Sequence, residues 1–369
     1  MRKDDSFLPR ENFNDLLSVL HDAGFLTIGP QPRDGTIVFD TLTDAEQLPQ
    51  GINDQQAPGH YRLETSDSPR WFAWANGPQA IKPLVFSPRE TLWSSKRDED
   101  GALSFTEALT ESKPTAIIGA RPCDIAALYI QDKHFLQQEK IDPYYQQRRK
   151  QLLLVVVNCT HPADTCFCAS TGDGPEAQYG FDIALTELDD GFLVCAHNQR
   201  GNELIAQLPT ETATEAQQQA AQTSLENAAK QQTRQLPGRN LNAKLFNNLE
   251  HPQWSNVGER CLSCGNCTAV CPTCFCHSEG ELAALDGKSS EHTREWDSCF
   301  SPNHSYIHGM TIREDASSKY RQWITHKLGS WHTQYGRSGC VGCGRCISWC
   351  PPGIDITEEA KIICGDHNE

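Results

Sequence analysis

The 369-residue chain has a formal net charge of −16 and a hydrophobic fraction of 38%. That length and apolar content allow about two domains with a real core. The acidic balance excludes a nucleic-acid binder, which needs clustered Lys and Arg, and suits partners that carry basic patches.

In chain order, residues 12–23, "NFNDLLSVLHDA", read as a short amphipathic helix ended by Gly24. Residues 25–100 alternate apolar stretches with Pro and Gly ("TIVFD", "HYRLET", "WFAWANG", "KPLVFSPRETLW") and read as strands and loops. "TAIIG", ending at Gly119, and "LLLVVV" (152–157) are apolar β-type runs on either side of a helical pattern, "DIAALYIQDKHFLQQ". Strand, helix, strand implies a parallel α/β unit. "FDIALTEL" and "GFLVCAH" flank "DDG" as a hairpin. Residues 202–236, rich in Ala, Gln and Glu, read as a surface helix broken by "LPGRN". A boundary near residue 250 is expected to divide an α/β or α+β unit, 1–250, from a ferredoxin-like, mainly helical unit, 251–369. No run approaches the ~18 apolar residues of a membrane span. The N-terminal "MRKDDSFLPRENFNDLL" lacks the apolar core of a signal peptide, so a cytoplasmic protein is expected.

In a reducing compartment, 17 cysteines imply metal ligation rather than a disulfide framework. "CLSCGNCTAVCP" (261–272) and "CVGCGRCISWCP" (340–351) repeat one spacing, C-x₂-C-x₂-C-x₃-C-P, around a long insert. In this pattern three thiolates on a tight loop meet one iron–sulfur cube, and the fourth reaches the other cube. The expected ligation is crossed. Cys261, Cys264, Cys267 and Cys350 would hold one [4Fe–4S] cluster, and Cys340, Cys343, Cys346 and Cys271 the other. Gly265 and Gly344 fall where the backbone bends close to sulfur, and Pro272 and Pro351 turn the chain away. Structural zinc favours separated C-x₂-C pairs and four ligands in all, which fits two such copies poorly. Cys267, Cys271 and Cys274 also match the C-x₃-C-x₂-C of radical enzymes, but the repeat already claims two of them.

Cys123, in "GARPCD", and Cys159, in "NCTHP", follow the two apolar strands, and Cys166 and Cys168 follow in "DTCFC". Loops at the carboxyl ends of parallel strands converge. These four are expected to hold a third [4Fe–4S] cluster, with burial as small hydrophobes the plainer alternative. Arg121 would offset the charge of that cube. Cys195 is expected in the core; Cys274, Cys276 and Cys299 are expected beside the clusters, touching them through S–H contacts. His304, His308 and His326 read as surface or packing residues, and Trp331, Tyr335 and Trp349 as apolar surface for a partner.

"IGARPCDIAAL", "NCTHPADTCFCASTGDGP", "CLSCGNCTAVCPTCFC", "WDSC" and "CVGCGRCISWCPPGIDI" together resemble the beta subunit of cytoplasmic NAD(P)-linked [NiFe] hydrogenases, the sulfhydrogenases. They resemble equally the A subunit of the anaerobic sulfite reductase. The resemblance covers most of residues 80–369. It implies a non-catalytic electron-transfer subunit. In the hydrogenase case it would relay electrons between an FAD/NAD(P)H-binding diaphorase subunit and the cluster-containing small subunit that serves the [NiFe] large subunit. The chain has no G-x-G-x-x-G after a strand and no G-x₄-G-K-[ST], so no flavin or nicotinamide site of its own is expected. A self-contained iron–sulfur reductase, using the N-terminal cysteines on a small substrate, is the further alternative.

Overall fold

The computed structural model describes residues 6–109 and 112–365. The first five residues of the N-terminal stretch read above lie outside the described residues. The strands in chain order are β1 (Ser6–Pro9), β2 (Leu26–Arg33), β3 (Thr36–Thr41), β4 (Ile52–Ala57), β5 (His60–Thr65), β6 (Arg89–Arg97) and β7 (Leu103–Glu107). There follow β8 (Thr115–Ala120), β9 (Leu152–Val157), β10 (Ile183–Glu187), β11 (Gly191–Ala196), β12 (Glu211–Thr212), β13 (His277–Ala283), β14 (Ser289–Trp296), β15 (Tyr306–Ile307) and β16 (Met310–Thr311).

Eight of these form one sheet in the order β12-β1-β11-β10-β9-β8-β2-β3. Its centre is parallel: β2 pairs with β8, β8 with β9 and β9 with β10. Continuous apolar runs such as "LLLVVV" belong in such a centre because both faces are covered. Alternate residues divide between two cores. Leu153, Val155 and Val157 face the helix Phe13–Asp22, whose Phe13, Leu16, Leu17 and Leu20 follow helical spacing. Leu152, Leu154 and Val156 face the crossover helix Pro122–Phe135. β10 and β11 form the expected hairpin. The Gln-rich segment forms the helix Glu215–Gln231, capped by Thr214 and touching the body through Ala221, Leu225 and Ala228. "WFAWAN" forms a buried loop rather than a strand, with Trp71, Phe72 and Trp74 in the core.

The parts of the chain on either side of residue 250 meet in a second sheet, β13-β14-β6-β7. The insert between the cysteine repeats supplies β13 and β14, so the segment expected to be mainly helical also contributes strands. The alternation of exposed and half-buried residues along "SSEH" is the local reason; a bulge at His292–Thr293 then leaves the adjacent Thr293 and Arg294 both buried. Arg294 pairs at 2.5 Å with Glu90 and also with Asp142. The core around the helix Pro122–Phe135 likewise takes in Phe275, Trp331 and Val341. A third core is mostly C-terminal, with Trp254, Tyr320, Trp323, Ile347 and Ile356. Among the described residues no helix is long and apolar enough to cross a membrane.

Candidate metal centre

The two cysteine repeats adopt matching backbones. Gly265 and Gly344 both have positive φ, 75° and 74°. Each begins a single helical turn, Asn266–Ala269 and Arg345–Ser348. The Ser263 N–H donates to Cys261 Sγ at 3.4 Å, and the Gly342 N–H donates to Cys340 Sγ at 3.4 Å. Backbone amides aimed at sulfur stabilise thiolate charge.

Cys261, Cys264, Cys267 and Cys350 line one cavity, with Cys346 at its edge and Phe300 and Tyr320 closing it, and the thiols of the first four act on one another electrostatically. Cys340, Cys343, Cys346 and Cys271 form a second mutually interacting group. In each group the fourth member comes from the other repeat. Burial pushes Cys267 and Cys346 well above the usual thiol range, and Cys340 up to about 12. A thiol held in this way gives up its proton when a metal binds. Cys271 moves the other way. A hydrogen bond with Cys274, aided by Lys327, holds it well below the usual range, and the same bond pushes Cys274 up.

The N-terminal cysteines lie at the carboxyl edge of the large sheet. β8 and β9 are adjacent and parallel, so Arg121-Pro122-Cys123 and Asn158-Cys159 leave on the same edge. Cys123 sits in the first turn of the helix Pro122–Phe135, not on a loop, because Pro122 starts the helix directly after the strand. Cys159, Cys166 and Cys168 act on one another, and Cys123 adjoins Cys168. All four are buried. Burial pushes Cys123 and Cys166 well above the usual range and Cys168 up to about 12. A side chain at Gly174 would meet Cys168 Sγ at 2.8 Å, so glycine there leaves room for the thiol. Arg121 lies near Cys159, but its guanidinium donates to the carbonyls of Phe72, Trp74 and Ala75.

This N-terminal group abuts the second repeat. The Phe167 N–H donates to the Gly342 carbonyl at 2.8 Å. Asn76 Nδ2 donates to the Cys343 carbonyl at 2.8 Å and lies 3.9 Å from Cys166 Sγ. Cys343 neighbours both Cys123 and Cys168, while Cys346 neighbours Cys267 of the first group. The three groups therefore follow one another in space. Among the described residues no three Cys, His, Asp or Glu side chains converge tightly enough to hold a single metal ion.

Asn76 and Lys327 are residues that the sequence reading did not single out; both act across more than fifty positions, which no local pattern reveals. Cys299 neighbours Cys267 and Cys276. Cys195, expected in the core, is half-buried and lines a cavity with Asn158 and Leu225. Trp331, expected on the surface, is buried against Phe275, because the aromatic ring pair stacks inside the shared core. Tyr335 packs on the same cluster, and Trp349 packs on Tyr61 of β5.

Residues 260–354 match the family model for the 4Fe-4S dicluster domain. The chain is also similar to the sulfhydrogenase 2 subunit beta of Pyrococcus furiosus, 32% identical over 285 residues, which span 76% of this chain and 81% of the relative. No solved structure matches the chain. Two matched cysteine repeats inside a dicluster domain, and similarity reaching well beyond that domain, lead to one assignment: the chain belongs to the family of sulfhydrogenase beta subunits, iron–sulfur proteins of electron transfer.

Proposed function

We propose that the chain relays electrons within a soluble [NiFe] hydrogenase complex, between an FAD/NAD(P)H-binding subunit and the hydrogenase small subunit. Three [4Fe–4S] clusters would form the relay. Cys123, Cys159, Cys166 and Cys168 hold the first and Cys340, Cys343, Cys346 and Cys271 the middle one. Cys261, Cys264, Cys267 and Cys350 hold the last. When bound, the clusters supply one-electron carriers; the protein's part is to hold the thiolates, exclude water and present an edge to a partner. The observation that carries this reading is the contiguity of the three cysteine groups, joined through Cys343 at one end and through Cys346 and Cys267 at the other. Cys264 of the last group is the one exposed cysteine of the three groups, beside an exposed Leu262, while Cys271 and Cys346 of the middle group are half-buried. Apolar surface of that kind suits a docking face.

The similarity to a sulfhydrogenase beta subunit favours the hydrogenase complex over a sulfite reductase. Anaerobic purification of the native complex tests it: a nickel subunit co-purifies on this reading, whereas a sirohaem subunit would overturn it. Iron analysis of the loaded chain tests the third cluster. About twelve irons per chain are expected, falling to about eight in Cys123→Ser, at four irons per cube. About eight in both would return the four N-terminal cysteines to a packing role.

A further inference from the structure

Lys327 is a buried cation, 3% exposed, on the π-helical stretch Thr325–Ser330. A buried ammonium is costly unless its charge is matched and its donors are satisfied. The other buried cations near the cysteine groups meet this need with oxygen or aromatic faces. Arg345 forms an ion pair with Asp124 at 2.8 Å. Lys82 donates to the carbonyls of Ala269 and Cys274 and sits 3.6 Å over Trp296. Lys327 has no carboxylate among its hydrogen-bond partners. Its Nζ donates to Thr273 Oγ1 at 2.8 Å, to the Gly339 carbonyl at 3.3 Å and to Cys271 Sγ at 3.4 Å. The three N–H donors of an ammonium thus have three acceptors, one of them a sulfur. The Trp331 ring lies 4.9 Å away and closes the site. Lys327 thus places a cation in hydrogen-bond contact with a cysteine sulfur.

The contact is specific to one group. Cys271 is the fourth cysteine of the first repeat but belongs with Cys340, Cys343 and Cys346, and Cys340 is another thiol on which Lys327 acts. Gly339, which accepts from Lys327, directly precedes that repeat. Adding an electron to a thiolate-bound cube increases its negative charge. A fixed cation at hydrogen-bond distance in a dry interior therefore stabilises the reduced form more than the oxidised one.

We propose that Lys327 is a positioning residue acting through Cys271, whose fixed charge raises the reduction potential of the cluster on Cys271, Cys340, Cys343 and Cys346. This rests on the reading that those four cysteines hold a cluster. The consequence is a relay whose middle member holds the electron more firmly than it would without that charge.

The test uses the full chain loaded with iron, as wild type, Lys327→Arg and Lys327→Gln. The glutamine keeps a donor but removes the charge; the arginine keeps the charge. Iron is counted first, then each protein is titrated reductively under EPR. With iron unchanged, one signal of the glutamine variant should show an about tenfold lower ratio of reduced to oxidised cluster at a fixed poise, equivalent to about 59 mV for one electron. The arginine variant should stay near wild type. Full iron with unshifted midpoints in the glutamine variant overturns the proposal. Should that variant fail to take up iron, wild-type protein labelled with [ε-¹⁵N]lysine decides. A ¹⁵N hyperfine coupling to a single reduced cluster supports the contact, and its absence overturns it. An iron count that is the same in wild type and in Cys340→Ser would mean that the second repeat holds no cluster. That count, read before any titration, would remove the functional reading and the proposal together.

Discussion

The first repeat, 261–272, and the second, 340–351, share spacing, helical turns and an amide aimed at the leading sulfur, yet their surroundings are opposite. Leu262 is 65% exposed, while its counterpart Val341 is 2% exposed. Asn266 lies at the surface, whereas Arg345 is buried in an ion pair with Asp124. At the third position the first repeat has Ser263 with φ 50°, and the second has Gly342 with φ 65°. A side chain at Gly342 would meet the Cys168 backbone at 2.5 Å, and one at Gly344 would meet the Thr165 carbonyl at 2.5 Å. One at Gly265 would come no closer than 3.2 Å to a neighbour, the Ser298 hydroxyl. The spacing of cysteines thus sets the shape of the loop, while the neighbours decide whether that loop is exposed or packed inside.

Exchanging ligands breaks the comparison most severely. Cys271→Ser should abolish the signal of the second repeat's cluster and lower iron by about four per chain, leaving the cluster of Cys261 in place. Cys350→Ser should do the reverse, read by iron content and EPR; damage to the cluster of the same repeat instead would show that ligation is not crossed. Gly342→Ser comes next. It puts a side chain into the backbone of the N-terminal cysteine loop and should cost about 3 kcal/mol in anaerobic unfolding, with loss of the N-terminal cluster first. Leu262→Glu should keep all iron and weaken the complex with its partner by about 1–2 kcal/mol, measured as affinity, because apolar contact at an interface centre is lost. Ser263→Gly, the mirror of Gly342→Ser, should change stability by no more than about 0.5 kcal/mol, because relief of the left-handed backbone at φ 50° offsets loss of the hydroxyl's hydrogen bond to Cys261.

Much of this architecture is legible in the sequence because its signals are local. "TAIIG" and "LLLVVV" announce the parallel centre through unbroken apolar runs, and the amphipathic helix ending before Gly24 announces itself by spacing. The cysteine repeats carry their own geometry. What is not legible depends on partners distant in the chain. "WFAWAN" looks strand-like, but its backbone is held by Arg121 and by Glu187, whose carboxylate accepts from the Trp71 and Phe72 amides. Cys123 looks like a loop residue until Pro122 is seen to open a helix at once. Trp331 looks like docking surface until Phe275, from beside the other repeat, covers it at a centroid distance of 5.1 Å. Lys327 gives no sign of its role, because its acceptors belong to the ends of both repeats.

The second sheet has a consequence for the order of events in synthesis. Strand β6 acquires its neighbour β14 only when a segment 204 residues further along has appeared, the separation of Glu90 from Arg294. At about 5–20 residues per second, the ribosome needs about 10–40 s to deliver it. For that interval β6 and β7 stand as a lone hairpin, marginal by itself and open along one edge. The thiols of Cys340 to Cys350 emerge later still, so the middle cysteine group is complete only once nearly the whole chain has been made. Loading of the two groups that draw on the second repeat is therefore a late step, performed on a body whose large sheet is already in place, and the half-made chain is the form most in need of protection from oxygen and from other strands.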